Sequence, residues 1–178
     1  MNLVFFDLET QNLFQEVGGR QNISKLRIAC AVTWSTTSHE FSVYWEKDVS
    51  TLLDELNSAG RVIGFNLRDF DYQVLQPYAP NYRFSSLPTL DLLLDLRRSL
   101  GFNLSLDTIA SVTLGSTKTA EGVQSVEWFR SGQLDKVAQY CQEDVEITRR
   151  VYELGRDQGY IHYRSKLGST LKVNVNWK

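Results

Sequence analysis

Four acidic residues sit where acidic side chains are costly or crowded, and their spacing frames the chemistry open to this chain. Asp7 and Glu9 lie two apart at the end of Leu3-Val4-Phe5-Phe6-Asp7-Leu8-Glu9, a β-branched and aromatic run that predicts a strand. The strand period of two turns both carboxylates to one face, roughly 7 Å apart, where like charges repel. Asp144 breaks a helical pattern over Leu134 to Leu154. At ~100° per residue, Asp135, Gln139, Gln142, Glu143, Glu146 and Arg150 share a polar arc, whereas Asp144 falls between Val137 and Val151 with Tyr140 one turn earlier. A carboxylate aimed at the core needs a partner. Asp71 closes the stretch Asn66-Leu67-Arg68-Asp69-Phe70-Asp71, just after another strand.

Each residue alone has a plain structural explanation: a buried ion pair for Asp144, a solvated strand end for Asp7 and Glu9, a helix N-cap for Asp71. Together they describe something narrower. A strand end, a loop-helix junction and a late helix can converge at one edge of a sheet. Clustered oxygen ligands without His or Cys suit hard cations, Mg²⁺ or Mn²⁺, which also bind substrate phosphate. Two such ions ~3.5–4 Å apart support in-line phosphodiester hydrolysis.

The elements that must position these residues read as follows. Leu3 to Glu9, Ile28 to Trp34 and Glu40 to Glu46 are strands of an antiparallel meander, with Gln11 to Lys25 as a loop. Val49, Leu52, Leu53, Leu56 and Ala59 mark a helix, and Arg61 to Asn66 a fourth strand. Asp71 to Tyr78, Leu90 to Leu100 and Ser105 to Leu114 are expected helices, and Gly115 to Ser125 a polar linker. Tyr160 to Lys166 and Thr170 to Trp177 are expected to pair as a terminal hairpin. The sum is an α/β domain with a central mixed sheet covered by helices.

Length and composition set outer bounds. At 178 residues with 42% hydrophobic and 22% charged residues, the chain is long enough for a sizeable core and unlike a disordered or fibrous protein. No apolar run approaches the ~20 residues of a membrane span. With no basic leader and only Cys30 and Cys141, plus His39 and His162, neither a disulfide framework nor zinc spacing is expected, and the cytoplasm is the expected setting. No phosphate-binding glycine loop can be read at Gly18-Gly19.

Phe6-Asp7-Leu8-Glu9-Thr10, Asn66 through Phe70-Asp71, and Tyr140 followed by Asp144 resemble the three motifs of the DnaQ-like DEDD 3′–5′ exonucleases, in order and on the expected elements. The resemblance extends over roughly Leu3 to Leu154. It implies a ribonuclease H-like fold, divided here into a 1–158 exonuclease domain and a 159–178 hairpin extension packed on it. That family places either a histidine five before the last Asp or a tyrosine four before it. Gln139 and Tyr140 imply the tyrosine subgroup, DEDDy.

What the resemblance implies of the residues is specific. Asp7, Glu9 and Asp144 hold one of two Mg²⁺ or Mn²⁺ ions, Asp7 bridges to the second, Asp71 serves that second site, and Tyr140 orients the attacking water. Thr10 and Asn66 touch the terminal nucleotide and Lys118 a phosphate, or else Thr10 ends a strand, Asn66 caps a helix and Lys118 is solvated. The implied substrate is the 3′ end of single-stranded DNA or RNA, released as nucleoside monophosphates. A polymerase or helicase is the implied kind of partner if the chain does not work alone.

The alternatives are a ribonuclease H-like endonuclease, against which the Tyr140 spacing speaks, and a non-catalytic nucleic-acid-binding or scaffold module, which loss of a ligand would mark. Taking the four carboxylates out as metal ligands moves the formal charge from −2 to +2. Tyr160, Tyr163 and Trp177, interleaved with basic residues, either stack on bases or simply pack the hairpin.

Overall fold

A computed structural model of the chain describes residues 1–115 and 122–178. Strand β1 (Leu3–Thr10) forms the centre of a five-stranded sheet and is buried on both faces. Its even residues Val4, Phe6 and Leu8 join one apolar cluster and Phe5 joins the other, as the strand period dictates. Asp7 and Glu9 share the face of Phe5.

The chain continues through β2 (Ile28–Ser35), β3 (Phe41–Trp45), helix α1 (Val49–Ser58) and β4 (Arg61–Gly64). The short α2 (Tyr72–Leu75), β5 (Thr89–Asp91), α3 (Leu92–Leu100), α4 (Leu106–Thr113) and α5 (Gly122–Arg130) follow. A long α6 (Leu134–Gln158) then leads to β6 (Tyr160–Arg164) and β7 (Thr170–Asn174). The sheet order is β3-β2-β1-β4-β5, antiparallel from β3 to β1 and parallel from β1 to β5, so the sheet is mixed. Val49, Leu52 and Leu56 bury the apolar stripe of α1 in the cluster on one face. On the other face α6 presents Val137, Cys141, Val145 and Val151, all fully buried. Each such side chain contributes roughly 1.5–3 kcal/mol of transfer free energy.

The expected α/β architecture, meander and terminal hairpin are all present, and several element readings need correction. Leu90 does not begin a helix: Thr89–Asp91 is the fifth strand, too short to show alternation beside a leucine-rich run that satisfies a helical period. The expected linker Gly115 to Ser125 is partly helix, because α5 begins at Gly122 and buries Ser125 and Val126. The expected helix Asp71 to Tyr78 is a π-helical turn, Leu67–Asp71, followed by α2 and a 3₁₀ turn, Gln76–Tyr78. β4 stops at Gly64, where an added Cβ would lie 2.5 Å from Leu67 Cδ2 and 2.6 Å from Phe6 O. Only glycine lets the chain leave the sheet so close to β1.

The hairpin docks on the face that carries α6. Ile161, Tyr163, Val173 and Trp177 belong to the cluster of Phe5 and Val145. Gly155 admits the Trp177 ring, whose Cζ3 lies 2.3 Å from where a Cβ would stand, and Trp177 Nε1 donates to Asp95 Oδ2 at 2.7 Å. Among the described residues no helix is long and apolar enough to cross a membrane.

Candidate active site

β1 delivers Asp7 and Glu9 to the edge of the sheet, and a β-bulge sits where they emerge. The register with β2 shifts between Glu9, paired with Cys30, and Thr10, paired with Ile28, so Ala29 is the extra residue. Bulges re-aim side chains at strand ends. α6 crosses the same face and brings Asp144 to them. One oxygen from each of Asp7, Glu9 and Asp144 lies within 4.8 Å of the others, with Glu9 and Asp144 buried. Burial first, and then the Asp7 charge, push the Glu9 carboxyl well above its ordinary range, with Asp144 adding to the rise. The buried Ser125 hydroxyl faces Glu9 and works the other way, although among the described residues it completes no hydrogen bond of ordinary geometry. This all-oxygen donor set, compressed and partly desolvated, fits a hard divalent cation.

Asp71 stands apart from that group of three. It is 1% exposed, and its Oδ1 accepts from Leu8 N at 3.2 Å, so it braces β1 and does not cap α2. Burial is the largest cause of its raised pKa and the Asp7 charge the next, so the Asp7 charge acts on Asp71 as well as on Glu9. The π turn that carries Asp71 hangs from Asp91. Asp91 Oδ1 accepts from Asn66 N at 2.9 Å and Oδ2 from Arg68 N at 3.0 Å, while Oδ1 also caps α3 through Leu94 N at 3.2 Å. Asn66 adopts φ 74°, a left-handed conformation that asparagine tolerates better than most residues, and its side chain caps nothing.

Tyr140 lies one helical turn before Asp144, 5% exposed, its ring edge-on to Trp128 with centroids 6.2 Å apart. Burial, and next the Asp144 and Glu9 charges, raise its phenol further above an already high ordinary value. Its hydroxyl is therefore held in the protonated form. Cys141 supports Asp7 from below: its buried thiol donates to Asp7 O at 3.4 Å and Asp7 Oδ2 at 3.6 Å. Thr10 and Asn66 both line the pocket, of about 600 Å³, that opens over Asp7, Glu9 and Asp144. The Thr10 hydroxyl donates to Asn12 O at 3.0 Å, fixing the turn out of β1. Lys118 lies outside the described residues.

The pocket also holds residues that the sequence reading missed. Phe14 and Arg20 come from the loop after β1. Phe14 meets Phe70 edge-on at 5.9 Å, and the Arg20 guanidinium sits 5.0 Å over the Phe14 ring. α5 supplies Val123 and Val126 to the opposite wall. Arg130 at its end ties the two walls, donating to Glu16 Oε2 at 2.6 Å and Gln11 O at 3.4 Å. The signal available for α5 was the spacing Val123, Val126, Phe129. The base-stacking option for the terminal aromatics fails for two of them: Trp177 and Tyr163 are core residues. Tyr160 is half-buried and already carries Lys172 over its ring at 3.7 Å.

The profile of the RNase H superfamily matches residues 4–155, which takes in β1, the π turn and the Asp144 helix. The chain belongs to the RNase H superfamily. Among solved structures this RNase H superfamily chain is similar to Escherichia coli exonuclease I in complex with a 5cy-dT13 oligonucleotide, with a TM-score of 0.53 and 15% sequence identity. The match covers 88% of the present chain and 41% of that one, and at this identity it shows a shared fold. No curated protein matches the sequence.

Proposed function

We propose that this RNase H superfamily protein is a metal-dependent 3′–5′ exonuclease of the tyrosine (DEDDy) subgroup, acting on single-stranded nucleic acid and releasing nucleoside monophosphates. The observation that carries the reading is the convergence of Asp7, Glu9 and Asp144, oxygens within 4.8 Å of one another, with Tyr140 one turn before Asp144. The order of these residues and of Asp71 along the chain matches the exonuclease motifs, and the similar fold of exonuclease I, solved with an oligonucleotide, supports single-stranded DNA as the first substrate to try.

Asp7, Glu9 and Asp144 would hold one Mg²⁺ or Mn²⁺, and Asp7 with Asp71 a second. Bound there, such ions would supply the chemistry of lowering the pKa of a water and offsetting charge on the phosphate and leaving oxygen. The chain's own residues do the rest. Tyr140, kept protonated by burial and by its carboxylate neighbours, holds the water by donation or acceptance at its hydroxyl. Phe14 and Phe70 offer ring faces and edges to the terminal base, and Arg20 over Phe14 adds a cation beside it. Thr10 and Asn66 border the terminal nucleotide. Raised carboxyl pKa values mean that metal competes with protons for these oxygens, so activity should fall as pH drops toward the carboxylate range.

A 5′-end-labelled oligonucleotide of DNA, and its RNA counterpart, tests the reading. The expected result is a ladder shortening from the 3′ end in Mg²⁺ or Mn²⁺ and full-length strand in EDTA. Cleavage insensitive to EDTA, or no cleavage of either strand with both metals, contradicts it.

A further inference from the structure

The π turn Leu67–Asp71 has two sides, and only one faces the carboxylates. Asn66 and Phe70 line the acidic pocket, whereas Arg68, and Tyr72 and Gln73 just beyond the turn, line a second pocket of about 510 Å³. The turn is their common wall. A helical turn with its side chains is about 10 Å across, so the two pockets cannot be filled by one terminal nucleotide alone.

The second pocket has the opposite chemistry to the first. Arg68 and Arg83 line it with Gln73, Asn81 and Ser85, and no Asp or Glu is among its lining residues. Arg68 is half-buried, close enough to the Tyr72 phenol that its charge opposes the rise that burial gives that hydroxyl. The neighbouring carboxylate, Asp69, is turned onto Arg97 Nη1 at 3.0 Å. Among the described residues, neither the Arg68 nor the Arg83 guanidinium has an ion-pair or hydrogen-bond partner. A guanidinium presents five N–H donors in a planar fork that matches phosphate oxygens; partial burial makes unmatched donors costly at Arg68, while Arg83 is exposed and open to an incoming phosphate.

The frame around the two arginines is fixed. The Tyr72 and Phe84 rings stack with centroids 5.2 Å apart, and Tyr82 packs edge-on to Phe84 at 4.7 Å while its hydroxyl donates to Asn57 Oδ1. Gln76 Nε2 donates to Ala79 O at 2.9 Å and Tyr82 O at 3.2 Å, which holds the loop leading to Arg83.

We infer that Arg68 and Arg83 clamp a backbone phosphate of the strand whose 3′ end enters the carboxylate pocket, upstream of that end. The phosphate chemistry follows from the pocket itself; that the phosphate belongs to a bound strand rests on the exonuclease reading.

Fluorescence anisotropy of a 5′-labelled single-stranded 20-mer, in EDTA to prevent cleavage and titrated with KCl, tests the clamp. Each phosphate of a single strand that the protein no longer neutralises lowers the slope of log K against log salt by about 0.7. An Arg68→Gln/Arg83→Ala double variant should therefore show a shallower slope, by about 0.7 if both arginines share one phosphate and about 1.4 if each holds its own. Affinity at low salt should fall about ten-fold per arginine. Arg83→Lys should keep most of the slope, and Arg150→Ala, an exposed arginine on α6, all of it. In Mg²⁺ the double variant should raise KM for the 20-mer but not for a dinucleotide too short to reach the pocket. A double variant that keeps the wild-type slope and affinity overturns the clamp, as does a wild-type protein that binds no strand. Strand binding that depends on both arginines, in a protein that never cleaves, leaves the clamp standing and counts against the exonuclease reading. Cleavage with no effect of the double substitution does the reverse.

Discussion

Glu9→Gln should stabilise the metal-free protein at neutral pH while abolishing its activity. Glu9 is 9% exposed, its carboxyl raised by burial and by Asp7 and Asp144. Two unit charges 4.8 Å apart, the outer limit for oxygens of this group, repel by about 3.5 kcal/mol at an effective dielectric of ~20. The folded state avoids part of that cost by keeping a proton that the unfolded chain loses near the ordinary value of ~4.3. A carboxyl with a raised folded pKa favours folding fully only below its unfolded pKa, and the benefit is lost as pH rises toward the folded pKa.

The magnitude follows from linkage. Each pH unit between ~4.3 and the folded pKa removes about 1.4 kcal/mol, so at pH 7 the loss has a ceiling of about 3.7 kcal/mol. Glutamine carries no proton to lose. The difference between variant and wild type in urea denaturation with EDTA should be near zero at pH 4 and grow in the variant's favour toward pH 7, to at most about 3.7 kcal/mol. Comparing the two chains cancels the carboxylates whose pKa is lowered, such as Glu46 beside Arg27. A variant less stable than wild type at pH 7, or a difference that does not change with pH, would refute the repulsive-cluster account.

Four further outcomes are expected. Asp7→Ala and Asp144→Ala should each cut turnover by several orders of magnitude in a folded protein, measured on the labelled strand, since each removes a proposed direct metal ligand. Mg²⁺ or Mn²⁺ at about 100 times its dissociation constant should raise wild-type stability by about 2.7 kcal/mol, and the gain should shrink sharply in Asp144→Asn; an equal gain in both would place the ion elsewhere. Tyr140→Phe should slow single-turnover cleavage by about 10²-fold or less, the low end for a positioned polar group, with metal binding intact; unchanged cleavage with about 1 kcal/mol lost in melting would make Tyr140 a packing residue only. Trp177→Ala should cost about 3–5 kcal/mol in chemical denaturation through the cavity it leaves beside Gly155 and Tyr152, with turnover per folded molecule retained.

The parts of the site that were legible in the sequence are those where a local rule is broken. Asp144 is the one acidic residue on the apolar side of a helix whose other charges keep to the polar side, and it is buried beside Val137, Cys141 and Val145. Asp7 and Glu9 follow from the period of two in a strand buried on both faces. Asp71 was visible only through its motif. Its local pattern reads as a helix N-cap, but the π turn directs its carboxylate back to Leu8 N, an interaction set by the parallel pairing of β1 with β4. Asp91 was hidden because its leucine neighbours satisfy a helical period, although it ends a strand and holds three backbone N–H groups. Phe14 and Arg20 sit in a loop without periodicity, so no spacing rule brings them over Phe70. For Trp177 the sequence left base stacking and packing of the hairpin both open, because nothing local announces that Gly155 leaves room for its ring.

The most direct test of the central claim is the first product from a 3′-end-labelled single strand incubated together with a circular single strand of the same length. The account predicts that the label appears as a nucleoside 5′-monophosphate before any shorter product, only with Mg²⁺ or Mn²⁺, while the circle stays intact. Nicked circles, or label first released in oligonucleotides of mixed length, would contradict it and assign these carboxylates to an endonuclease.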